Sequence, residues 1–161
     1  MEDYIALLKV RVIKGTNLPA KDIMSSDPYV VVRIGTQKVR SRTVKRNLNP
    51  VWDDELTLGV PNDTPKLKVE LLDKDRFSKD ELLGDAEVDL QPLLAVARKL
   101  AGINKETESK AIESVPASKD NALASDSHIL VRKGQIVQNL HLKLNNADNG
   151  EIEIELKWID I

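Results

Sequence analysis

Four carboxylates follow the apolar run that ends at Leu72: Asp73, Asp75, Asp80 and Glu81. Carboxylates only a few residues apart repel one another, which raises their pKa values unless a metal ion, basic neighbours or hydration relieves the repulsion. Calcium prefers several oxygen ligands, so it would suit such a turn. The turn alone leaves two interpretations open, a calcium site and a solvated acidic β-turn.

An EF-hand is the first calcium-binding motif to test, because Asp73 and Asp75 have its Asp-x-Asp opening. The remaining positions do not match. A loop of this type that began at Asp73 would place Phe77 at a ligand position. It would also place Ser78 at the obligatory glycine and Gly84 at the bidentate glutamate. Further oxygen ligands must therefore come from another part of the chain.

The second source of oxygens is the segment 17–29, which lies between two β-like runs and contains Asp22 and Asp27. Several motifs follow one another in a fixed order along the chain: Asn17-Leu18, Ser26 to Tyr29, Asn49 to Trp52, and the Asp-x-Asp loop. In this order they resemble the C2-domain family. The resemblance implies a β-sandwich in which two loops at one end converge on calcium.

The resemblance also implies the calcium ligands, two groups of carboxylates in two loops. They are Asp22 and Asp27 in the first loop, and Asp73, Asp75 and either Glu81 or Asp80 in the second. The fifth position of the family, usually an aspartate, is Glu81 in this chain. Five carboxylates carry about −5, and two Ca²⁺ ions would bring this end of the molecule to about −1. Calcium would then leave coordination positions for lipid phosphate oxygens.

The strand predicted over 38–44 has three cations at every second position: Lys38, Arg40 and Arg42. Residues two apart share one face of a strand, so these cations lie side by side. Such a face suits anionic phospholipid head groups or an acidic protein, and the resemblance implies that it reads phosphoinositides. The alternative is a solvated face that only favours solubility.

The predicted calcium loops each carry one conspicuous apolar side chain, Met24 in the first and Phe77 in the second. A loop flanked by acids has no core in which to bury a ring, and full burial of Phe contributes roughly 1.5–3 kcal/mol. We expect both side chains to enter the bilayer interface when calcium bridges the lipids. The alternative is that Phe77 folds back onto the base of its loop.

Length and composition exclude several classes of protein. With 161 residues, the chain is expected to form one domain, 1–161. Its net charge of −2 gives no general attraction to nucleic acid. There is no cysteine, which excludes disulfides, and no apolar run or signal peptide that would predict membrane insertion. We expect no enzyme, because no nucleophile motif or phosphate loop occurs, and His128 and His141 lack acidic neighbours at a suitable spacing.

Alternating apolar residues predict an all-β fold, beginning with a strand over 5–13 and ending with one over 151–158. We expect an eight-stranded antiparallel C2 β-sandwich with type II topology, in which the last strand fills the place beside the first. Trp52 is expected to pack within the fold. The chain departs from the minimal pattern at 91–127, where a short amphipathic helix over 91–100 precedes a loosely ordered loop. This helix and loop form an insertion within the domain.

The insertion and the C-terminal strand resemble the small plant C2-domain proteins of abscisic acid signalling. The resemblance implies calcium-dependent binding to anionic phospholipid membranes and recruitment of abscisic acid receptors to the plasma membrane. We expect a monomer in solution. The resemblance implies a protein found in the cytoplasm and peripherally at the plasma membrane, with the nucleus as a further candidate location. A rice relative implies an alternative, a GTPase-activating partner of an unconventional G protein. A third alternative is a calcium-independent module that binds proteins.

Overall fold

The computed structural model describes residues 3–21, 25–63, 66–101 and 111–161. Within these ranges there are ten strands and one helix. The strands are β1 Tyr4–Thr16, β2 Pro28–Ile34, β3 Gln37–Arg40, β4 Val51–Pro61, β5 Leu67–Asp73, β6 Glu81–Val88, β7 Ala111–Val115, β8 Ser127–Arg132, β9 Gln135–Lys143 and β10 Glu151–Asp160. The helix is α1, Gln91–Lys99.

The strands form two antiparallel sheets that face each other across one core. The first sheet has six strands in the order β4-β1-β10-β9-β8-β7, and the second has four in the order β3-β2-β5-β6. Apolar residues alternate along β1 and β10, so each strand buries one face and leaves the other to solvent. The predicted antiparallel sandwich is confirmed, with β10 beside β1.

The described part of the chain has two strands more than the eight that were predicted. Four strands of the first sheet and the four of the second form the expected framework. Beyond β9 the first sheet continues with β8, which forms the hairpin expected from residues 128–131 and 135–144, and then with β7. Residues 111–115 were expected in a loosely ordered loop, yet they form β7. Their sequence has little periodicity. They form a strand because they pair with β8, where Val115 lies opposite Ser127.

The predicted helix is also confirmed, as α1. It buries Leu93, Leu94, Val96 and Ala97, which recur at helical spacing. The described ranges contain no helix that is both long enough and apolar enough to cross a membrane. Residues 102–110 of the predicted insertion lie outside the described residues.

Trp52 joins the two sheets inside the sandwich, as expected of a packing residue. Its side chain is fully buried, and its indole Nε1 donates a hydrogen bond to the carbonyl of Pro28 at 3.0 Å. Trp52 belongs to β4 of the first sheet, whereas Pro28 begins β2 of the second. The contact therefore fixes the start of β2, next to the first predicted loop.

Candidate functional site

Acidic residues meet at one end of the four-stranded sheet because three strands begin or end there. Asp27 immediately precedes β2, Asp73 ends β5 and Glu81 begins β6. Asp73 lies opposite Glu81 in the antiparallel ladder, and residues opposed in this way share one face of a sheet. The backbone N–H of Asp27 donates to Oδ1 of Asp73 at 2.8 Å. Together with Asp75 and Asp80, these residues are called the acidic end below.

Asp75 caps its own turn. Its Oδ1 accepts hydrogen bonds from the backbone N–H groups of Phe77 at 2.8 Å and Ser78 at 3.2 Å, and its Oδ2 accepts from the Ser78 hydroxyl at 2.7 Å. These bonds, first that of Phe77 and then that of the Ser78 side chain, lower the pKa of Asp75 below its ordinary value. The carboxylate is therefore ionised at neutral pH.

Asp80 binds its surroundings through both oxygens. Oδ1 accepts the backbone N–H of Asp75 at 2.8 Å, and Oδ2 accepts the hydroxyl of Tyr29. The ammonium of Lys74 lies 3.6 Å from Oδ2. The Asp75 N–H and then the Tyr29 hydroxyl lower the pKa of Asp80, whereas burial and the Asp80 contact raise the pKa of Tyr29 to about 12.

The donor chemistry of the acidic end fits calcium, since both loops offer carboxylate oxygens and calcium prefers oxygen ligands. Even so, no three His, Asp or Glu side chains in the described ranges are arranged so that they could hold a metal ion. The Oδ1 of Asp27 accepts the backbone N–H of Arg46 at 2.7 Å. The predicted ligand Asp22 and the predicted lipid contact Met24 lie outside the described residues. The assignment of calcium ligands remains a prediction.

The predicted basic strand is shorter than expected, because β3 ends at Arg40, but its alternation is present. Lys38, Arg40 and Arg42 are exposed, while Ser41 is buried. Two of the three cations are bound within the fold. Arg40 stacks 3.8 Å from the centre of the Tyr29 ring. Arg42 donates to the carbonyl of Trp52 at 2.9 Å and pairs with Asp54 at 3.6 Å.

Two further cations share this surface and were not found from the sequence. Strand register places Arg33 of β2 opposite both Lys38 of β3 and Lys68 of β5, so the three form a row across the outside of the sheet. Arg33 is paired with Glu70. Within each strand, alternation already placed these cations on the outer face. Only the register between strands shows that they lie next to one another. The outer surface formed by Lys38, Arg40, Arg33 and Lys68, with the adjoining Arg42, is called the basic face below.

Two exposed apolar side chains, Phe77 and Leu82, lie in or next to the second acidic loop, and a third, Val51, begins β4 of the other sheet. Phe77 is 91% exposed, so the ring does not fold back onto the base of its loop. Leu82 follows Glu81 and is 36% exposed, and Val51, opposite Lys14 at the end of β1, is 58% exposed. Neither Val51 nor Leu82 was singled out from the sequence, because each belongs to an alternating strand and only the fold shows that it is uncovered.

A family model and the curated relatives both match this chain to C2-domain proteins. The family model described as C2 domain matches residues 6–105. Protein C2-DOMAIN ABA-RELATED 2 of Arabidopsis thaliana is 45% identical over 161 residues, which cover all of this chain and 92% of that protein. GTPase activating protein 1 of Oryza sativa subsp. japonica is 40% identical over 158 residues, 98% of this chain and 93% of that protein.

Longer proteins and a solved structure also match. An ADP-ribosylation factor GTPase-activating protein of Arabidopsis thaliana is 44% identical over the whole chain, which spans 48% of that protein. A calcium-bound structure of two C2 domains of Extended-Synaptotagmin 2 superposes with a TM-score of 0.66 at 22% identity, covering 99% of this chain and 48% of that one. The structural match supports the fold, and the sequence matches support the family. The chain is a C2 domain and belongs to the C2-domain ABA-related family.

Proposed function

We propose that this chain is a calcium-dependent phospholipid-binding adaptor that carries a signalling protein to the plasma membrane. The observation that carries the proposal is the acidic end, where Asp27 of the first loop meets the carboxylates of the second loop, which also carries the exposed Phe77 and leads into the exposed Leu82. A surface that joins clustered acids to uncovered apolar groups suits an ion-dependent contact with an anionic, partly apolar partner. A membrane of anionic phospholipid has that chemistry.

The proposed ligands are Asp22, Asp27, Asp73, Asp75 and either Glu81 or Asp80, which would hold the ion between the two loops. Calcium would supply positive charge and coordination positions for lipid phosphate oxygens. The carboxylate of Asp75 is already ionised and fixed by its own turn, so this part of the site needs no deprotonation. The chain is a binding module and not an enzyme, as its family indicates.

The apolar groups and the basic face would complete the contact. Phe77, with Met24 of the first loop, would enter the interfacial region of the bilayer. Lys38, Arg40 and Arg42 would face lipid phosphates, and each cation near an anionic surface contributes about 1 kcal/mol. Because Arg40 and Arg42 are already bound within the fold, Lys38 would contribute most of the three.

The proposed cargo is a protein related to the abscisic acid receptors, as the name of the relative that is 45% identical suggests. On this proposal the protein is peripheral at the plasma membrane and otherwise resides in the cytoplasm and nucleus. A second candidate function is regulation of a GTPase. It is favoured by the rice relative named as a GTPase-activating protein, since this chain spans 93% of it. Stimulation of GTP hydrolysis by the purified chain would establish that second function.

Sedimentation with phosphatidylserine-containing liposomes tests the leading proposal. The wild type is measured in calcium and in chelator beside the double variant Asp73→Ala with Asp75→Ala. A matched control, Asp3→Ala with Asp63→Ala, removes the same charge at exposed positions near the start of β1 and the end of β4, where Tyr4 lies opposite Pro61. We expect calcium-dependent binding that only the first double variant loses.

Two other outcomes would contradict the proposal. Equal binding in calcium and in chelator would assign lipid binding to the basic face. No binding under either condition would favour the calcium-independent module that acts through a protein partner. Circular dichroism of each variant separates loss of binding from loss of folding.

A further inference from the structure

Asp80 and Glu81 are neighbours, yet the fold gives them opposite orientations. Leu72 lies opposite Leu82 and also opposite Tyr29, so these three residues share the outer face of the four-stranded sheet. Successive residues of a strand point to opposite faces. Glu81 is therefore on the side of Asp73, its partner in the ladder, whereas Asp80 is on the side of Tyr29.

The contacts of Asp80 agree with its position on the same side of the sheet as Tyr29. One oxygen accepts the backbone N–H of Asp75 at 2.8 Å, and the other accepts the Tyr29 hydroxyl. Tyr29 is only 6% exposed, and its ring is covered by the Arg40 guanidinium at 3.8 Å. The second loop is thus bound through Asp80 to a ring that is itself held in the fold.

We propose that Asp80 is a positioning residue rather than a calcium ligand, and that it fixes Asp75 by joining the Asp75 backbone to the Tyr29 hydroxyl. Glu81 is then the carboxylate that joins Asp73 in the site. The inference rests on the proposed function, because Asp75 matters here as one of the proposed calcium ligands. It adds a requirement, since the site depends on Tyr29, a residue of β2 that supplies no ligand.

A set of substitutions separates positioning from ligation. Asparagine at position 80 can accept the Asp75 N–H with its oxygen and donate its amide hydrogen to the Tyr29 oxygen. Asp80→Asn therefore keeps both links but removes the charge, whereas Asp80→Ala removes both links. Tyr29→Phe removes the hydroxyl and keeps the ring under Arg40, and Tyr4→Phe is its control at an exposed tyrosine.

The first readout uses the calcium-free protein. Amide hydrogen exchange at Asp75, followed by nuclear magnetic resonance, reports directly on the bond to Asp80. We expect exchange at this amide to be accelerated about tenfold in Asp80→Ala and to stay close to wild type in Asp80→Asn. Tyr29→Phe should accelerate it to a smaller extent, and Tyr4→Phe should leave it unchanged. Unchanged exchange in Asp80→Ala would overturn the positioning role.

The second readout is calcium affinity by titration calorimetry. We expect Asp80→Ala to weaken binding about tenfold, Asp80→Asn to stay within about twofold of wild type, and Glu81→Gln to weaken binding more than either. Tyr29→Phe should weaken binding in the wild type and add nothing to Asp80→Ala, because the two residues act through one link. A loss in Asp80→Asn equal to that in Asp80→Ala would make Asp80 a ligand and overturn the inference.

The two readouts also distinguish failure of this inference from failure of the proposed function. If the wild type binds no calcium while Asp75 exchange responds to the substitutions as expected, the calcium function falls and the link between Asp80 and Asp75 stands. If the wild type binds calcium and Asp75 exchange does not respond, the function stands and the positioning role falls.

Discussion

The acidic end and the basic face lie on the same four-stranded sheet, but their charged groups have different kinds of partner. At the acidic end, Asp75 and Asp80 are bound mainly by neutral N–H and O–H donors, which leave the negative charge in place. On the basic face, Arg33 is paired with Glu70, and the adjoining Arg42 with Asp54. The acidic end keeps most of its negative charge, with Lys74 as the one described cation paired to Asp80, whereas part of the positive charge of the basic face is paired with acids.

Under the proposed function, this difference predicts that the acidic end is the switch. Carboxylates that are held together by neutral donors still repel one another, so a cation has a large effect on them. Paired guanidinium groups must leave their acids before they can meet a new anion, which reduces the gain. Calcium at the acidic end would therefore decide whether the protein binds a membrane, and the basic face would adjust how strongly.

Replacement of Trp52 should break both regions at once and have the largest effect. Its indole holds the carbonyl of Pro28, which stands between Asp27 of the acidic end and Tyr29, the ring beneath Arg40. Truncation of a fully buried Trp costs about 3–5 kcal/mol, so Trp52→Ala should lower the free energy of unfolding by that amount, measured by urea titration. Trp52→Phe, which loses the hydrogen bond and only part of the buried ring, should cost less than Trp52→Ala, and equal losses would contradict this prediction.

Replacement of Phe77 should weaken only the acidic end. Because the side chain is 91% exposed, Phe77→Ala should leave the free energy of unfolding unchanged. If the ring enters the bilayer, liposome affinity in calcium should fall by roughly 1.5–3 kcal/mol. Tyr4→Ala, at a partly exposed aromatic near the opposite end of β1, is the control for membrane binding. An unchanged partition coefficient for Phe77→Ala would remove the ring from the proposed contact.

Replacement of Lys38 and of Arg42 should have different effects, because one cation of this surface is unpaired among the described residues and the other is paired. Lys38 has no ion pair with another described residue, whereas Arg42 is bound to Asp54 and to the carbonyl of Trp52. We expect Lys38→Ala to reduce affinity for anionic vesicles by about 1 kcal/mol and Arg42→Ala to reduce it less. The difference should shrink at high salt, measured by the same sedimentation assay. A larger loss for Arg42→Ala would show that the pairing does not reduce its contribution.

Acid should affect the acidic end slightly and in a defined direction. The pKa values of Asp75 and Asp80 are lowered in the folded protein, so their contribution to stability is present above the ordinary aspartate pKa of about 3.9. It is lost as pH falls through the lowered values. Urea titrations should therefore show little change from this source between about pH 6 and 8, and Asp80→Asn should lose less stability in acid than the wild type. Parallel losses in the two proteins would contradict this.

The sequence predicted the parts of the molecule that depend on local pattern. The alternation of apolar residues in β1 and β10 predicts their strands, and leucine spacing predicts α1, because burial of one face has a period that a sequence displays. β7 was missed because its order comes from pairing with β8. Arg33 and Lys68 were missed as members of one row, since register between distant strands is not written in either strand.

The acidic end was predicted in composition but not in detail. The family pattern placed Asp73, Asp75 and Glu81 in one loop, and the fold brings Asp27 to within a hydrogen bond of Asp73. The contact between Asp80 and Tyr29 joins residues 51 positions apart, so nothing in the acidic turn itself indicates it. Side-chain partners across a long separation follow from topology, which a local pattern cannot supply.

The position of β10 has a consequence for the order of folding during synthesis. β1 lies between β4 and β10, and Ala6 pairs with both Val60 and Asp160. While the chain is being translated, β4 becomes available to β1 early, but the other side of β1 stays unpaired until the ribosome has added about a hundred further residues. A nascent chain therefore carries an open, alternating apolar strand for most of its synthesis, and strands of that kind invite pairing with other chains.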